Sequence, residues 1–380
     1  MKILHLMLAC FYIDNYNYQE NVLPRINKED GHDVKIITST ETFIDNMNLG
    51  YLKPQEYINE DGIPVVRLPY KNYICHKVSK KIRSYIGLLG EIEKYEPDII
   101  YCHGLQFKDL DIISQYKRMH PNVKIYADSH EDEHNSARTF LSKHLLYGLL
   151  YNPIINRNLC HIEKIFCVSR EVMHFMNNVC NVPLEKLFFF PLGGIINEDE
   201  EYENIRDKYR KQLNVLDNEI LIVHSGKLDH NKKTVELVKA FSAVKDNSLK
   251  LVIIGQISTD IEDELNKLIE KDRRINFLGW KPASELMCFL AAADIYAQPG
   301  TQSATMQNAA CACNAMMLYP YESHKYIFGE KAIYVEDEDD IKEFFLTISN
   351  NKSVVEEIKY NCFEISKDVL DYKKMIKQIY

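Results

Sequence analysis

The sequence lacks the features of membrane-spanning, secreted and nucleic-acid-binding proteins. Nowhere do about 20 predominantly apolar residues follow one another, as a membrane-spanning helix requires. Acidic residues outnumber basic ones, 55 to 46, and the net charge of −9 argues against a broad nucleic-acid-binding surface. The ten cysteines include no C-x-x-C pair, so we expect reduced thiols in a cytoplasmic protein. The short apolar run of residues 2–9 passes directly into aromatic and acidic residues, which predicts a first strand rather than a signal peptide.

A second absence is local. Residues 295–321 contain no Asp, Glu, Lys, Arg or His, although 27% of the chain is charged. Pro299 and Gly300 should end a strand here, and Thr301 or Ser303 should cap the helix that follows. The N–H groups at such a helix start suit a diphosphate, which nearby carboxylates would repel. A strand–turn–helix buried in the core is the alternative explanation.

Short β-branched runs alternate with longer amphipathic stretches along the chain, which is typical of βαβ units and doubly wound sheets. The predicted strands cover residues 2–8, 34–39, 65–69, 98–104, 123–129, 164–169, 219–226, 249–255, 275–279, 295–299, 315–320 and 332–336. Helices are predicted over residues 79–96, 352–364 and 367–379, among others. Gly193, Gly194 and the acidic residues after them mark a domain boundary. We predict two Rossmann-like α/β domains, 1–195 and 196–365, facing across a cleft, with 366–380 packing back toward the first.

Ligands of open parallel sheets bind beyond the carboxyl ends of the strands, so residues that directly follow strands are candidates. Gly226 ends one predicted strand and would let the backbone approach a ligand closely. Lys227 and Lys232 then present two cations, which together with helix N–H groups suit a phosphate. A turn with two solvated lysines is the alternative.

The chain resembles the bacterial glycosyltransferases of family 4, which have the GT-B fold, and the resemblance covers nearly its whole length. The segments that carry it are GHDVKIITS, PDIIYCHG, KIFCVS, PLGG, HSGKLDHNKK, LVIIG and INFLGWKPASELMCFLAAADIYAQPG. It implies a retaining, hexosyltransferase-like enzyme (EC 2.4) that uses a nucleotide-diphosphate sugar, with no metal and no cofactor. Residues 1–195 would then be the acceptor-side domain and residues 196–365 the nucleotide-sugar-binding domain.

The residues that match the family's donor site depart from its pattern. The family pairs an Arg with a Lys on the donor diphosphate; Lys227 stands for that Arg, and Lys232 matches the Lys. Two glutamates eight positions apart contact the donor sugar and the ribose, but here these positions hold Gly300 and Asn308, or Pro299 and Gln307 with a shift of one. An amide at residue 307 or 308 still bonds a ribose hydroxyl. The resemblance thus implies donor contacts from Gly226, Gly300, Thr301, Gln302, Ser303, Gln307 and Asn308.

The resemblance also implies roles in the first domain. His103, at the end of a predicted strand, matches a family histidine that touches the donor sugar, although a structural histidine is the alternative. The family often has G-G-x-E before its first helix; Glu20 matches that glutamate, whereas Asn17 and Tyr18 replace the glycines. We therefore expect Tyr18, Gln19 and Glu20 on the acceptor side.

The segment YADSHEDEH contains a motif that needs separate treatment. His130 and His134 match the zinc pattern H-E-x-x-H. That chemistry needs both histidines on one helix face and a third ligand, whereas this segment directly follows a strand. We favour a strand-end loop in which Asp128, His130 and Asp132 bind acceptor hydroxyls, and a plain surface loop is the alternative.

Residues 71–90 carry Lys71, Lys77, Lys80, Lys81 and Arg83 beside aromatic and aliphatic residues, with no acid. Such a segment suits an anionic membrane surface or a lipid diphosphate. A solvated helix face is the alternative.

These observations predict a cytoplasmic, peripheral glycosyltransferase of surface-polysaccharide, capsule-type biosynthesis. Its partners would be a nucleotide-sugar donor and a lipid-linked or oligosaccharide acceptor. The main alternative is a non-catalytic nucleotide-sugar-binding or scaffold protein of the same fold, which the missing glutamates favour. A nucleotide-sugar epimerase would need carboxylates around the donor sugar, and the segment after residue 295 has none.

Overall fold

The computed structural model describes residues 1–44, 48–132, 142–196 and 200–380. It divides into two compact units: Met1–Pro191 with Ile376–Tyr380, and Leu192–Met375. The boundary between the two units therefore lies before residue 195. Of residues 366–380, only Ile376–Tyr380 group with the N-terminal unit. In the described part of the chain, no helix has both the length and the apolar character needed to cross a bilayer.

The N-terminal unit is built on an eight-stranded sheet with a small hairpin beside it. Its strands are β1 (Lys2–Met7), β2 (Asp33–Ser39), β3 (Glu41–Phe43), β4 (Leu49–Tyr51), β5 (Gln55–Ile58), β6 (Pro64–Leu68), β7 (Ile99–Cys102), β8 (Lys124–Ser129), β9 (Lys164–Cys167) and β10 (Leu187–Phe189). Its α-helices are α1 (Gln19–Glu29), α2 (His76–Ile82), α3 (Leu88–Tyr95), α4 (Leu110–Met119), α5 (Asn152–Asn158) and α6 (Arg170–Asn178), and a π-helical segment, Ser142–Tyr151, precedes α5.

The order of the large sheet is β10-β9-β8-β7-β1-β2-β6-β5, and every pair except β5–β6 is parallel. The central strands are apolar on both faces because helices cover both sides of a doubly wound sheet. Ile3, Leu4, Leu6 and Met7 of β1 are all fully buried. One residue of this strand, His5, is polar and just as buried.

The predicted helix over residues 79–96 is wrong, because the structure divides it into α2 and α3. Arg83 adopts a left-handed conformation, and Tyr85 forms an isolated β-bridge with Tyr70. The Asp109 carboxylate accepts hydrogen bonds from the Ser84 hydroxyl and the Tyr85 main-chain N–H. A tertiary contact thus interrupts a stretch whose hydrophobic periodicity is continuous.

The C-terminal unit contains a six-stranded, entirely parallel sheet. Its strands are β11 (Ile220–Leu228), β12 (Leu249–Ile257), β13 (Ile275–Phe277), β14 (Ile295–Gln298), β15 (Ala315–Leu318) and β16 (Ile333–Tyr334). Its helices are α7 (Glu200–Gln212), α8 (Thr234–Ala243), α9 (Glu262–Ile269), α10 (Ala283–Ala292), α11 (Thr305–Cys311), α12 (Glu322–Phe328), α13 (Glu338–Asn350), α14 (Ser353–Val369) and α15 (Tyr372–Met375). Two doubly wound α/β domains are thereby confirmed.

The strand order β13-β12-β11-β14-β15-β16 reverses direction between β11 and β14. At such a switch point, the loops after the two central strands diverge to opposite faces of the sheet and leave a crevice for a ligand. The loops concerned here are those after Leu228 and after Gln298.

The helices at the end of the chain are divided differently from the predicted helices 352–364 and 367–379. A single helix, α14, runs to Val369, α15 is one turn long, and a 3₁₀ turn covers Ile376–Ile379. The break falls where Gly194 crosses the chain: its N–H donates to Leu370 O at 2.9 Å, and its carbonyl accepts from Tyr372 N at 3.1 Å. A side chain at Gly193 would be 2.4 Å from Leu370 O, so the crossing requires glycine there.

Candidate functional site

The switch point of the C-terminal sheet brings the predicted donor-site residues together. Gly226 lies near the end of β11, Lys232 ends the 3₁₀ turn after it, and Gly300 follows β14. The Thr301 main-chain N–H donates to Asn231 O at 3.0 Å, which joins the two loops. The sequence had predicted this convergence only from the positions of these residues after strands.

Glycines permit this close approach of the two loops. A Cβ atom on Gly300 would lie 2.1 Å from Asn231 O, a distance that no side chain tolerates. Gly226 has a φ of +139°, and a Cβ there would lie 3.1 Å from Lys232 Cε. Neither position can hold a larger residue without a backbone shift. At residue 300, where one alignment places a family glutamate, packing therefore requires glycine.

Lys232 is the most unusual side chain of this site. Only 5% of the residue is exposed, and its Nζ donates to the carbonyl oxygens of Thr301 at 2.6 Å and Gln302 at 3.3 Å. Burial lowers the pKa of its ammonium to about 8, and the charge of Asp229 partly opposes this effect. Within the described residues its hydrogen bonds go to main-chain carbonyls, and Asp229 acts on it only through its charge, so a directly bonded anion would be a better partner.

The local chain fold positions Lys232. The Asp229 carboxylate caps the 3₁₀ turn His230–Lys232 by accepting a hydrogen bond from the Lys232 main-chain N–H. Helix α8 then begins at Thr234. Lys227, the second predicted cation, is exposed, and within the described residues its side chain has no hydrogen bond or ion pair.

Beneath the site lies a histidine that sequence reasoning had missed. His224 is fully buried in β11; its Nδ1–H donates to Ala297 O at 2.8 Å, and its Nε2 accepts from the Thr234 hydroxyl at 2.9 Å. Burial lowers its pKa to about 4, so the ring is neutral and ties β11, β14 and α8 together. A lone histidine within the apolar run ILIVHS was the available signal.

The uncharged segment after β14 differs from the predicted capped helix. Helix α11 begins at Thr305, and the residue before it, Ala304, provides no side-chain cap, so the predicted cap by Thr301 or Ser303 is wrong. The Ser303 hydroxyl instead donates to Gln298 Oε1 at 2.8 Å and lies 3.4 Å from the Tyr296 hydroxyl. Polar groups of this loop thus bond one another.

The two amides of α11 also bond the loop before it. Asn308 Nδ2 donates to Ala304 O at 3.2 Å, and the Gln307 amide, in the orientation that its neighbours require, donates to Ser303 O and Ala304 O at 3.2 Å each. Gln307 is buried and Asn308 is half-buried, and both sit within this one loop–helix segment. Gln302 is exposed beside them.

In the N-terminal unit, three predicted residues form one cluster. His103 Nδ1 lies 2.9 Å from Asp128 Oδ2, His130 Nε2 lies 3.7 Å from Asp128 Oδ1, and the Gly104 N–H donates to Asp128 Oδ1 at 2.8 Å. Burial by itself raises the pKa of Asp128, but the two imidazoles hold it below the usual range. The same pairing raises the pKa of His130 to about 9, against the effect of its burial.

The cluster exposes only one of its rings. His103 is 1% exposed, whereas the side chain of His130 is 34% exposed. Glu20, in the first turn of α1, adds to the negative charge that acts on His130. His130 is therefore the imidazole of this cluster that a ligand could reach in this structure.

The remaining predicted residues of the N-terminal unit belong to the start of α1 and to the segment after β8. Tyr18, 52% exposed, immediately precedes α1, and Gln19 is buried within its first turn. Asp132 is half-buried in the loop after β8. His134, the second histidine of the zinc pattern, lies outside the described residues. Within residues 1–44, 48–132, 142–196 and 200–380, no three His, Cys, Asp or Glu side chains form a metal-ligand set.

Comparison with known proteins finds a family that matches part of the chain and solved structures with a similar fold. Residues 205–313 match the family described as Glycosyl transferases group 1. No curated protein sequence matches the chain.

Among solved structures, HepE from Anabaena in complex with UDP is similar at 15% identity and a TM-score of 0.72, with 100% of this chain and 98% of that chain covered. Sucrose-phosphate synthase from Thermosynechococcus elongatus is similar at 13% identity and a TM-score of 0.67, with 99% of this chain and 96% of that chain covered. WaaG, a glycosyltransferase involved in lipopolysaccharide biosynthesis, is similar at 13% identity and a TM-score of 0.60, with 99% of both chains covered. The predicted enzyme class and fold are confirmed: the chain has the GT-B fold and carries a Glycosyl transferases group 1 domain at residues 205–313.

Proposed function

We propose that this protein transfers a sugar from a nucleotide-diphosphate sugar, and that it holds the donor diphosphate at the switch point between β11 and β14. The observation that supports this most strongly is the Lys232 ammonium, buried beside Gly226 and Gly300 and, within the described residues, hydrogen-bonded only to main-chain carbonyls. A diphosphate would give this ammonium the hydrogen-bonded anion that Asp229 does not provide. The absence of carboxylates from residues 295–321 removes a source of repulsion.

The proposed reaction breaks the bond between the anomeric carbon and the donor phosphate oxygen, and forms one to an acceptor hydroxyl oxygen. Lys232 and the exposed Lys227 stabilise the negative charge that develops on the leaving diphosphate. The acceptor hydroxyl proton passes to that diphosphate, which needs no protein nucleophile, metal or cofactor. We propose retention of the anomeric configuration from the resemblance to family 4.

Further parts of this proposal concern the substrates. Among the solved GT-B structures, HepE was crystallised with UDP and with UDP-glucose, and the trehalose-6-phosphate protein from E. coli was bound with UDP-2-fluoro glucose. UDP-sugars are therefore the first donors to test. A lipid-linked or oligosaccharide acceptor of capsule-type surface polysaccharide is proposed from family resemblance, and WaaG is itself involved in lipopolysaccharide biosynthesis. Acceptor contacts are assigned to the N-terminal residues Tyr18, Gln19, Glu20, Asp128, His130 and Asp132, and a donor-sugar contact to His103.

We also propose that residues 71–90 bind an anionic membrane surface from the cytoplasmic side. Ile74 is 94% exposed, and Lys77 and Lys81 are exposed near it. Lys80 pairs instead with Glu41, and the Arg83 guanidinium donates to a main-chain carbonyl. Exposed aliphatic and basic side chains together suit lipid headgroups.

The proposed function is tested by donor turnover. Purified protein is incubated with UDP-, GDP- and ADP-sugars, and release of the nucleoside diphosphate is followed with and without oligosaccharide acceptors. We expect turnover of one donor class by wild type and by Lys239→Met, which replaces a half-buried lysine of α8 that pairs with Glu264, and a loss of about a hundredfold in Lys232→Met. Donor binding without any turnover would favour the non-catalytic scaffold. Turnover unchanged in Lys232→Met would contradict the proposed donor site.

A further inference from the structure

A row of polar side chains crosses the core of the N-terminal unit from α1 to the end of β8. Asn27 Oδ1 lies 2.8 Å from His5 Nε2, and His5 Nδ1 lies 3.1 Å from His103 Nε2. His103 Nδ1 then lies 2.9 Å from Asp128, which also faces His130 at 3.7 Å. The strands β1, β7 and β8 are neighbours in the sheet, so their side chains continue the row without interruption.

The row is buried along nearly its whole length. Asn27, His5 and Asp128 are 0% exposed and His103 is 1% exposed, so only His130 has an accessible ring. Polar groups in a core cost free energy unless every member finds a partner, and apolar residues at the same positions are often as stable or more so. The surrounding residues of β1 are apolar, which makes His5 an exception that packing does not require.

The partners allow two orders of donors and acceptors along the row. Burial, together with the charge of His103, lowers the pKa of His5 to about 3, so His5 is neutral and carries one ring hydrogen. With the Asn27 amide oxygen toward His5, that hydrogen lies on Nε2; with the amide turned by 180°, it lies on Nδ1, which faces His103. In both orders a hydrogen on His103 Nδ1 faces the ionised Asp128 carboxylate at 2.9 Å.

We propose that His5 and Asn27 are positioning residues that hold the His103 ring, and through it the Asp128 carboxylate, in place for His130. His130 is the end of the row that faces outward, and the residues behind it act only through Asp128. This proposal extends the proposed glycosyl transfer by naming side chains that support the ligand-facing imidazole. Its structural part stands without a known substrate.

The charged groups that act on His130 come from more than its own strand. Asp128 and Glu131 lie close to it along the chain, and Glu20 acts on it from α1. Arg83 acts on Glu131 and so opposes part of this negative charge. Among these charged groups, Asp128 has the largest effect on the pKa of His130. A change in the position of Asp128 should therefore change that pKa.

The test uses the full chain with ¹⁵N-labelled histidine. Two variants disrupt the row from different elements: His5→Phe on β1 and Asn27→Leu on α1. Asn158→Leu is the matched control, since Asn158 is another buried asparagine of the same unit with two hydrogen bonds of its own. Loss of individual signals in His103→Gln and His130→Gln assigns the rings.

We expect wild type to show a hydrogen on His103 Nδ1 at neutral pH. In His5→Phe and Asn27→Leu, the His103 nitrogen signals should change, and the pKa of His130 should fall from about 9 toward its usual value. Asn158→Leu should change neither signal. For the donor turnover described above, His5→Phe should lower kcat about tenfold while KM stays within about twofold.

Two results would overturn the proposal: His103 and His130 signals unaltered in both disrupted variants, or equal changes in Asn158→Leu. Two variants on separate elements keep the test decisive if one of them fails to fold. The turnover assay separates this proposal from the proposed function. If wild type turns over no donor, the proposed function fails, while the nitrogen signals still decide whether the row positions His103 and His130.

Discussion

The main-chain carbonyl oxygen of Asn231 lies 2.1 Å from the point where a Cβ atom on Gly300 would stand. The two residues follow neighbouring strands, and their contact brings the Lys232 ammonium to the carbonyls of the next loop. The geometry of the proposed donor site thus depends on a glycine. In the family that the sequence resembles, one alignment places a glutamate at this position and the other places it at residue 299.

Replacing Gly300 by alanine should disturb both stability and donor binding. The added methyl group must push the loops apart, so we expect the free energy of unfolding to fall by about 2 kcal/mol or more. Nucleotide binding should weaken with it. Gly90→Ala is the control, since a Cβ there meets no atom within 4 Å and lies in a helix. Equal stability of Gly300→Ala and wild type would show that the Asn231 carbonyl leaves room for a methyl group at residue 300.

The two lysines of the proposed donor site should behave differently when replaced. Lys227 is exposed and unbonded within the described chain, so Lys227→Ala should leave the melting temperature unchanged and weaken nucleoside diphosphate binding by about tenfold. Lys232→Met should weaken binding by about a hundredfold because it removes a buried charge. Titration calorimetry of both variants checks this, and a larger loss from Lys227 than from Lys232 would contradict the assignment.

The lowered pKa of Lys232 predicts opposite effects of pH on stability and on binding. Its folded-state pKa of about 8 lies below the usual 10.5, so the unfolded chain binds more protons between these values. Wild type should therefore gain stability relative to Lys232→Met as pH rises from about 8 to 10.5. Affinity for a nucleoside diphosphate should fall over the same range as the ammonium loses its charge.

Chemical denaturation and calorimetry at several pH values measure both effects. The comparison with Lys232→Met at each pH removes contributions from other titrating groups and from the nucleotide. A wild-type advantage in affinity that stays constant across this range would show that Lys232 keeps its usual pKa.

Replacing Asp128 should be costly because its carboxylate has two imidazoles and the Gly104 N–H as partners. We expect Asp128→Asn to lower the free energy of unfolding by about 3 kcal/mol at neutral pH. The folded-state pKa of Asp128 lies below the usual 3.8, so this stabilisation is present above that value and is lost as pH falls below it. The difference between wild type and Asp128→Asn should shrink accordingly.

Asp111→Asn is the control for this experiment. Asp111 also pairs with a cation, Arg157, but both side chains are partly exposed, so its loss should cost less than about 1 kcal/mol. A similar cost for both replacements, or a pH-independent cost for Asp128→Asn, would argue against a buried ionised carboxylate.

The proposed membrane contact predicts a specific change in vesicle binding. Lys77→Ala with Lys81→Ala should lower binding to vesicles with anionic lipid by about tenfold or more, because each lysine contributes roughly 1 kcal/mol. Ile74→Ser should lower it further. Lys94→Ala with Lys124→Ala, exposed lysines of the same unit, should have little effect in the same sedimentation assay. Equal binding of both double variants would remove residues 71–90 from the proposed contact.

Much of the fold could be predicted because buried parallel strands are apolar on both faces. The sequence analysis missed four strands, β3, β4, β5 and β10. Three of them have only three residues, and β4 and β5 are mostly exposed, so none carries a long buried apolar pattern. The division between α2 and α3 was hidden for a different reason. The residues that cause it, Asp109 and Tyr70, lie outside the helical pattern that they interrupt.

The donor-site candidates Gly226, Lys232 and Gly300 were found from the sequence because residues that follow central strands of a parallel sheet converge. The details could not be predicted, since they depend on which groups are close in space. The carbonyls that hold Lys232 and the Gln298 amide that accepts from Ser303 are examples. His5 and His224 stood beside apolar runs of their strands, but their partners come from distant segments.

The most direct test of the proposed donor site is a thermal shift assay with UDP, GDP, ADP and CMP on wild type, Lys232→Met and Lys239→Met. A nucleotide at about 100 times its dissociation constant stabilises the folded state by roughly 2.7 kcal/mol. We predict that one nucleoside diphosphate raises the melting temperature of wild type and Lys239→Met but not of Lys232→Met. No shift with any nucleotide at millimolar concentration, or an equal shift in Lys232→Met, would contradict a donor site at the switch point of the C-terminal sheet.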